Sequence, residues 1–143
     1  MNTQYNPDGD IRVHLLLVDD DINLLETMSH LLAQKGYIVT PATGSSYAIT
    51  ILKNKCKEFD VVVTDLCMPG INGLELAGMI REVSLDIPVI LHSGKIDIIN
   101  ERQAAKAGIA ETITKPYRVE DLDELIKKVI KGNRHYKVHP VNE

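Results

Sequence analysis

The sequence predicts an α/β domain in which helices cover both faces of a doubly wound, five-stranded parallel sheet. Five short apolar runs alternate with five amphipathic segments along the chain, which is typical of successive βα units. Glycine or proline follows several of these segments and marks where they end. Strands separated by helices pair in parallel through right-handed crossovers, so we expect a (βα)5 three-layer sandwich with the strand order 2-1-3-4-5.

The apolar runs have the length and composition of buried strands. The first, residues 12–18, is rich in leucine and leads into three consecutive aspartates. The second, residues 37–40, is shorter, and we expect Pro41 to end it because proline cannot donate a hydrogen bond to a sheet. The other three predicted strands span residues 60–64, 87–92 and 110–114.

The segments between these runs place apolar residues at helical spacing. Helices are predicted over residues 22–35, 44–57, 72–83, 97–107 and 119–131. Gly36 ends the first helix, and Gly108 ends the fourth, which is rich in alanine. The last helix has acidic residues in its first turn and lysines near its end, which suits the helix dipole, and Gly132 terminates it.

Composition limits the classes of protein that the chain can belong to. Its 143 residues are 44% hydrophobic and 25% charged, with a net charge of −4, which fits one globular domain without a basic nucleic-acid-binding surface. No apolar run approaches the roughly 20 residues that cross a bilayer. Two cysteines without CxxC spacing suit a reducing, cytoplasmic compartment. We expect a disordered leader over residues 1–10, a folded domain over 11–131 and a tail over 132–143.

Polar side chains are predicted to converge at the carboxyl edge of the sheet. Strand 1 runs into Asp19 and Asp20, strand 3 ends at Asp65, and strands 4 and 5 lead into Ser93 and Lys115. Ligands of such sheets bind beyond the carboxyl ends of the strands, where the strand order reverses. Three close carboxylates need compensating positive charge, which Lys115 and a hard cation such as Mg²⁺ could supply. A metal held there can neutralise a phosphoryl group, and a carboxylate can accept one as an acyl phosphate.

Four motifs in this order resemble the receiver domain of two-component response regulators, as found in chemotaxis receivers, over residues 11–131. They are LLVDDD, TDLCMPGINGLEL, PVILHSG and TKPY. The resemblance implies that Asp65 is the phosphoacceptor, that Ser93 and Lys115 contact the phosphoryl group, and that the peptide bond before Pro116 is cis. It also implies a Mg²⁺ site formed by the carboxylates of Asp19, Asp20 and Asp65 and the backbone carbonyl of Cys67. Asp21 is expected instead to cap the first helix.

The function that the resemblance implies is phospho-dependent signalling. A receiver takes a phosphoryl group from a histidine of a partner kinase or phosphotransfer domain in a Mg²⁺-dependent reaction. It then switches conformation to regulate a partner protein or an attached module. Such a domain is a regulatory phosphoacceptor and not an enzyme in the usual sense, although slow self-dephosphorylation is expected. Its helix 4–strand 5–helix 5 face would contact a downstream protein or a second copy, and we expect no nucleic-acid or membrane binding by the domain alone.

Three residues depart from the commonest pattern of the family. Thr112 stands where many receivers have an aromatic ring that turns inward, so a switch made of Ser93 and Thr112 would work without that ring. The side chain of Cys67 is expected to have no role in the site. His92 occupies a strand position that is usually apolar, and we expect a partly buried histidine with satisfied hydrogen bonds.

Alternative functions fit the sequence less well. A phosphatase of the haloacid dehalogenase type needs a second aspartate two residues after the nucleophile, where this chain has Cys67. A flavodoxin-like FMN carrier needs a hydroxyl- and glycine-rich phosphate loop after strand 1, where three aspartates would repel phosphate. No GxxxxGK[ST] phosphate loop occurs. The remaining alternative is a degenerate receiver that acts only as a protein-interaction module.

Overall fold

The computed structural model describes residues 4–5, 11–84, 86–94 and 101–132. The strands β1 to β5 span His14–Asp19, Ile38–Thr43, Val61–Asp65, Val89–Ser93 and Ile109–Thr114. The helices α1 to α5 span Ile22–Gln34, Ser45–Lys55, Gly73–Val83, Glu101–Ala107 and Val119–Gly132.

All five strands form one parallel sheet in the order β2-β1-β3-β4-β5. The predicted fold class and strand order are therefore confirmed. In the register of the central pair, Val18 lies opposite Thr64, so the residues that follow them leave the sheet side by side. This pairing places the carboxyl ends of β1 and β3 next to each other at the point where the strand order reverses.

Strand β2 continues past the point where the sequence was expected to end it. It runs to Thr43, with Pro41 paired opposite Leu17 of β1, so the prediction that Pro41 ends the strand is wrong. The physical reason is that β2 lies at the edge of the sheet and pairs with β1 alone. An edge strand tolerates proline because the missing N–H can face away from the neighbouring strand.

Several predicted boundaries differ from those in the structure or lie outside the described residues. Helix α2 ends at Lys55, and a 3-10 turn, Cys56–Glu58, follows it. The predicted start of the fourth helix, at residue 97, lies outside the described residues. Within the predicted leader, Gln4–Tyr5 pairs antiparallel with Ile11–Arg12, and the rest of the leader and residues 133–143 are outside the described part.

Two apolar clusters lie on opposite faces of the sheet. Successive side chains of a strand point to opposite faces, so Leu15 and Leu17 join one cluster while Leu16 and Val18 join the other. The first cluster packs against α1 and α5, and the second against α2 and α3. Burying each aliphatic side chain stabilises the fold by about 1.5–3 kcal/mol. The two clusters cover both faces of β1, β3 and β4, and these strands position the polar residues at the carboxyl edge.

None of the helices in the described ranges is both long enough and apolar enough to traverse a lipid bilayer.

Candidate functional site

Three carboxylates converge at the carboxyl edge of the sheet. Asp19 is the last residue of β1, Asp20 follows it, and Asp65 is the last residue of β3. One carboxylate oxygen from each lies within 4.8 Å of the others. Asp19 and Asp65 are buried, whereas Asp20 is exposed. The structure therefore brings together the three aspartates that the sequence singled out, and the cluster opens to solvent on the side of Asp20.

The third aspartate of the DDD run has a separate role. The side chain of Asp21 accepts hydrogen bonds from the backbone N–H groups of Asn23 and Leu24, at 3.0 and 3.2 Å. It caps α1, as predicted, because these N–H groups have no partner within the helix. The backbone N–H of Asp21 also donates to Oδ1 of Asp19, at 2.9 Å. Asp21 thus caps α1 with its side chain and contacts the acidic cluster with its backbone N–H.

Lys115 supplies positive charge to the cluster from the loop that follows β5. Its Nζ lies 2.6 Å from Oδ2 of Asp19 and 3.5 Å from Oδ2 of Asp65. Its backbone N–H donates to the carbonyl of Ser93, at 3.0 Å. The peptide bond between Lys115 and Pro116 is cis, as predicted. One ammonium group therefore contacts two of the three carboxylates.

The surroundings of Asp19 keep its carboxylate ionised. Burial would by itself raise the pKa of Asp19, but hydrogen bonds from His92, Lys115 and a backbone N–H outweigh burial and hold the pKa well below its usual range. The side chain of Asp19 is only 1% exposed. Asp19 is therefore deprotonated near neutral pH, which is the form in which a carboxylate can bind a hard cation.

The loop between β3 and α3 is closely packed against the site. The N–H of Gly73 donates to the carbonyl of Leu66, at 2.8 Å, and a Cβ on Gly73 would overlap the backbone carbonyl of Asp65. Asn72 and Glu75 form a capping box that fixes the start of α3. Glycine is therefore required at residue 73 because the helix start approaches the backbone of the central carboxylate. Cys67 lies in this loop and is exposed.

The remaining predicted site residues lie on the neighbouring strands. Ser93 ends β4 and is buried, next to the loop that carries Lys115. Thr112 lies in β5 opposite Leu91 and is partly buried. The structure thus places Ser93 at the carboxyl edge beside the acidic cluster, and Thr112 lies within the neighbouring strand.

The structure adds two polar residues to the site, His92 and Tyr117, to which the sequence had assigned no role there. His92 is fully buried, which goes beyond the partial burial expected from the sequence. Its Nε2 lies 3.3 Å from Oδ2 of Asp19 and 3.4 Å from the carbonyl of Val18, and its Nδ1 lies 2.6 Å from the hydroxyl of Tyr117. The hydrogen bonds of His92 are satisfied, as expected. A histidine in an otherwise apolar strand was the signal that a polar partner had to lie nearby, and Tyr117 of the TKPY motif is that partner.

A doubly wound parallel sheet with an acidic cluster and a lysine at its carboxyl edge defines a class of α/β protein with a cation-binding type of site. Comparison with known proteins identifies the family within this class. A family model described as the response regulator receiver domain matches residues 15–127. The chain belongs to the family of response regulator receiver domains.

Individual relatives are similar along most of this chain. The two-component response regulator ARR14 of Arabidopsis thaliana is 30% identical over 131 residues, which are 92% of this chain and 33% of that protein. A receiver domain protein from Clostridium thermocellum is 30% identical, with a TM-score of 0.78, covering 83% of this chain and 94% of that one. The response regulator TrrA from Thermotoga maritima, solved in complex with Mg²⁺-BeF, is 29% identical, with a TM-score of 0.74, covering 82% and 98%. The chain spans between 21% and 56% of the length of the curated relatives that it matches.

Proposed function

We propose that this receiver accepts a phosphoryl group on Asp65 from a partner histidine kinase or phosphotransfer domain, in a Mg²⁺-dependent reaction, and then switches conformation. The observation that supports this most strongly is the geometry at the carboxyl edge. Three carboxylates lie within 4.8 Å of one another, and the ammonium group of Lys115 contacts two of them. Such a cluster would be repulsive in a purely structural role, whereas it suits a site that takes up a cation and a phosphoryl group.

The donor set fits Mg²⁺ by its chemistry. All the side-chain donors are carboxylate oxygens, the ligands that a hard cation prefers, and the depressed pKa of Asp19 means that no proton competes with the metal near neutral pH. The proposed ligands are the carboxylates of Asp19, Asp20 and Asp65 and the backbone carbonyl of Cys67. Bound there, Mg²⁺ would neutralise negative charge on an incoming phosphoryl group. That the related TrrA was solved with Mg²⁺-BeF supports this assignment.

Asp65 is the proposed nucleophile because it ends β3, the strand between β1, which leads into the acidic pair, and β4, which ends at Ser93. One of its carboxylate oxygens forms a bond to phosphorus while the bond between phosphorus and the donor's histidine nitrogen breaks, and the electron pair returns to the imidazole. Lys115, 3.5 Å from Oδ2 of Asp65, would then pair with a phosphoryl oxygen. The hydroxyl of Ser93 would donate a hydrogen bond to another phosphoryl oxygen. Each of these groups lies at the same edge of the sheet.

The proposed conformational response begins with the same residues. Because the backbone of Lys115 is hydrogen-bonded to Ser93, movement of either residue toward a phosphoryl group displaces the end of β4 and the loop after β5 together. We assign the switch to Ser93 and Thr112, without a buried aromatic ring. The α4–β5–α5 face is the proposed contact for a downstream protein, an attached module or a second copy of the chain.

The setting proposed for this reaction is the cytoplasm. Cys56 and Cys67 are both free thiols, in keeping with a reducing compartment.

The presence of every acidic, hydroxyl and lysine residue at its expected edge weighs against the degenerate receiver that acts only by contact.

The proposal is tested by intact-protein mass spectrometry after incubation with Mg²⁺ and acetyl phosphate. We expect one phosphoryl group on the wild type and none on Asp65→Asn or on wild type treated with a chelator. Asp60→Asn is a matched control, because it makes the same change just before the opposite end of the same strand and should be labelled normally. Undiminished labelling of Asp65→Asn, or phosphate on another residue, would remove Asp65 from its role.

A further inference from the structure

His92 bridges a proposed metal ligand and the loop that carries Lys115. It has no solvent exposure, and its two ring nitrogens contact different elements of the chain. Nε2 faces Asp19 at the end of β1, and Nδ1 faces the hydroxyl of Tyr117, two residues after Lys115. A leucine would fill this position in a buried strand at lower desolvation cost, so the polar contacts of the ring call for an explanation.

The hydrogen bonds of His92 have a defined direction. Both neighbours of Nε2, the Asp19 carboxylate and the carbonyl of Val18, are acceptors, so Nε2 carries a proton and donates. Nδ1 then accepts, and the hydroxyl of Tyr117, 2.6 Å away, is the donor. Burial raises the pKa of Tyr117, and the charges of Asp19 and Asp65 raise it further, so the hydroxyl keeps its proton. The chain of donors therefore runs from Tyr117 through His92 to Asp19.

The two oxygens of Asp19 are fully engaged, which determines what a cation has to displace. Oδ1 accepts from the N–H of Asp21, and Oδ2 accepts from both Lys115 and His92. The side chain of Lys115 is 21% exposed, ends a flexible stem and already has a second partner in Asp65. The ring of His92 is enclosed and held at both nitrogens. Lys115 is therefore the contact that can be released, and His92 is the contact that stays.

We propose that Tyr117 and His92 are positioning residues for the Mg²⁺ site. Their hydrogen-bonded relay holds the carboxylate of Asp19 in a ligand-ready orientation and leaves Lys115 free to move when the cation arrives. Tyr117 donates to the lone pair of Nδ1, which would otherwise be buried without a partner, and so fixes the orientation of the ring against Asp19. This inference rests on the Mg²⁺ site of the proposed function.

The test is a Mg²⁺ titration of the unphosphorylated protein, followed by the amide signals of its NMR spectrum. Loss of an outer hydrogen-bond partner commonly weakens metal binding about 10–100-fold, so we expect Tyr117→Phe and His92→Leu each to raise the dissociation constant at least about tenfold. His92→Gln keeps a donor near the position of Nε2 and should recover most of the affinity. In the wild type, ring nitrogen shifts should show the proton on Nε2 and a hydrogen-bonded lone pair on Nδ1, and in Tyr117→Phe the Nδ1 signal should move to that of a nitrogen without a donor.

Tyr37→Phe is the matched control. The hydroxyl of Tyr37 donates to Oδ1 of Asp123 at 2.5 Å, so this change also removes a buried hydroxyl hydrogen bond, but one between the loop after α1 and helix α5. Both phenylalanine variants should lose some stability against urea, and only Tyr117→Phe should lose Mg²⁺ affinity. Because Tyr117→Phe retains the ring, it keeps the test valid even if His92→Leu does not fold.

The outcomes separate this inference from the proposed function. If the wild type binds Mg²⁺ and both Tyr117→Phe and His92→Leu bind it equally tightly, the relay is overturned and the metal site stands. Equal losses of affinity in Tyr37→Phe and Tyr117→Phe would also overturn the relay, since general destabilisation would then explain both. If the wild type does not bind Mg²⁺, the proposed metal site fails, and the relay fails with it.

Discussion

The two edges of the sheet each combine a histidine with an aspartate, which is partly buried at the amino edge and buried at the carboxyl edge, and the edges differ in how the charge is matched. At the amino edge, Oδ2 of Asp60 accepts from the N–H of His14 at 2.8 Å, and the N–H of Asp60 donates to the carbonyl of His14, also at 2.8 Å. The ring of His14 contacts the hydroxyl of Thr40 at 2.9 Å. At the carboxyl edge, by contrast, three carboxylates cluster beside one ammonium group, that of Lys115, which contacts two of them.

This difference shows how a polar cluster that supports the fold can be told from one that serves function. The Asp60 carboxylate bonds the chain's own backbone and ties the start of β3 to β1, so its partners are accounted for by the fold. Burial raises the pKa of Asp60, whereas hydrogen bonds lower that of Asp19 despite its burial. The carboxyl edge keeps Asp19 ionised and brings three carboxylates together beside one ammonium group, an arrangement that suits a cation-binding site.

The largest effect on stability is expected from removing the ammonium group of Lys115 at the carboxyl edge. Lys115→Ala leaves the buried carboxylate of Asp19 without its ammonium partner, so the free energy of unfolding without metal should fall by about 2 kcal/mol, less than for a fully enclosed pair because Lys115 is partly exposed. Mg²⁺ should still bind and restore part of this loss. The phosphorylation-induced change in amide NMR signals should disappear. An unaltered phosphorylation response, measured with urea unfolding in parallel, would contradict this role.

A smaller effect is expected at the amino edge. Asp60→Ala leaves the N–H of His14 without its carboxylate acceptor, which should lower the free energy of unfolding by about 1–2 kcal/mol. Here Mg²⁺ should raise the stability of the variant by the same increment as in the wild type, because the metal binds at the other edge. A variant that lost its Mg²⁺ response would show that the two edges are coupled.

The smallest expected effect is a difference between the two edges in how stability depends on pH. The folded pKa of Asp19 lies below its ordinary value, so the stability it contributes is present above about pH 4 and is lost as the pH falls further. The folded pKa of Asp60 is raised, so its contribution is full below about pH 4 and is lost as the pH rises through the folded pKa. Urea unfolding between pH 3 and 7 should therefore show opposite differences from the wild type for Asp19→Asn and Asp60→Asn. If the free energies of unfolding of both variants ran parallel to that of the wild type across this pH range, the contrast between the two edges would be refuted.

Much of the fold and the core of the site could be predicted from the sequence, for physical reasons. The alternation of apolar runs and amphipathic segments reflects strands buried on both faces and helices buried on one. Once the strand order is set, Asp19 and Asp65 must leave the sheet side by side. The convergence of the acidic cluster therefore follows from topology alone.

The rest depended on contacts between residues that are distant in the sequence. Whether Pro41 ends a strand depends on β2 being an edge strand, which is a property of the whole sheet. The full burial of His92 and the direction of its hydrogen bonds depend on Tyr117, which arrives from a loop 25 residues later. Likewise, Asp123 is buried on α5 because Tyr37, 86 residues away, donates to it. Local patterns do not report such partners.

Thermal unfolding with and without Mg²⁺ tests most directly whether the three carboxylates at the carboxyl edge form a Mg²⁺ site. Three proteins are compared: the wild type, Asp20→Asn in the cluster and Asp21→Asn, where asparagine still caps α1. At about 100 times the dissociation constant, binding should add about 2.7 kcal/mol and raise the Tm of the wild type and Asp21→Asn by roughly 5–10 °C. Asp20→Asn should gain little. An equal gain in all three proteins, or none in the wild type, would contradict the account.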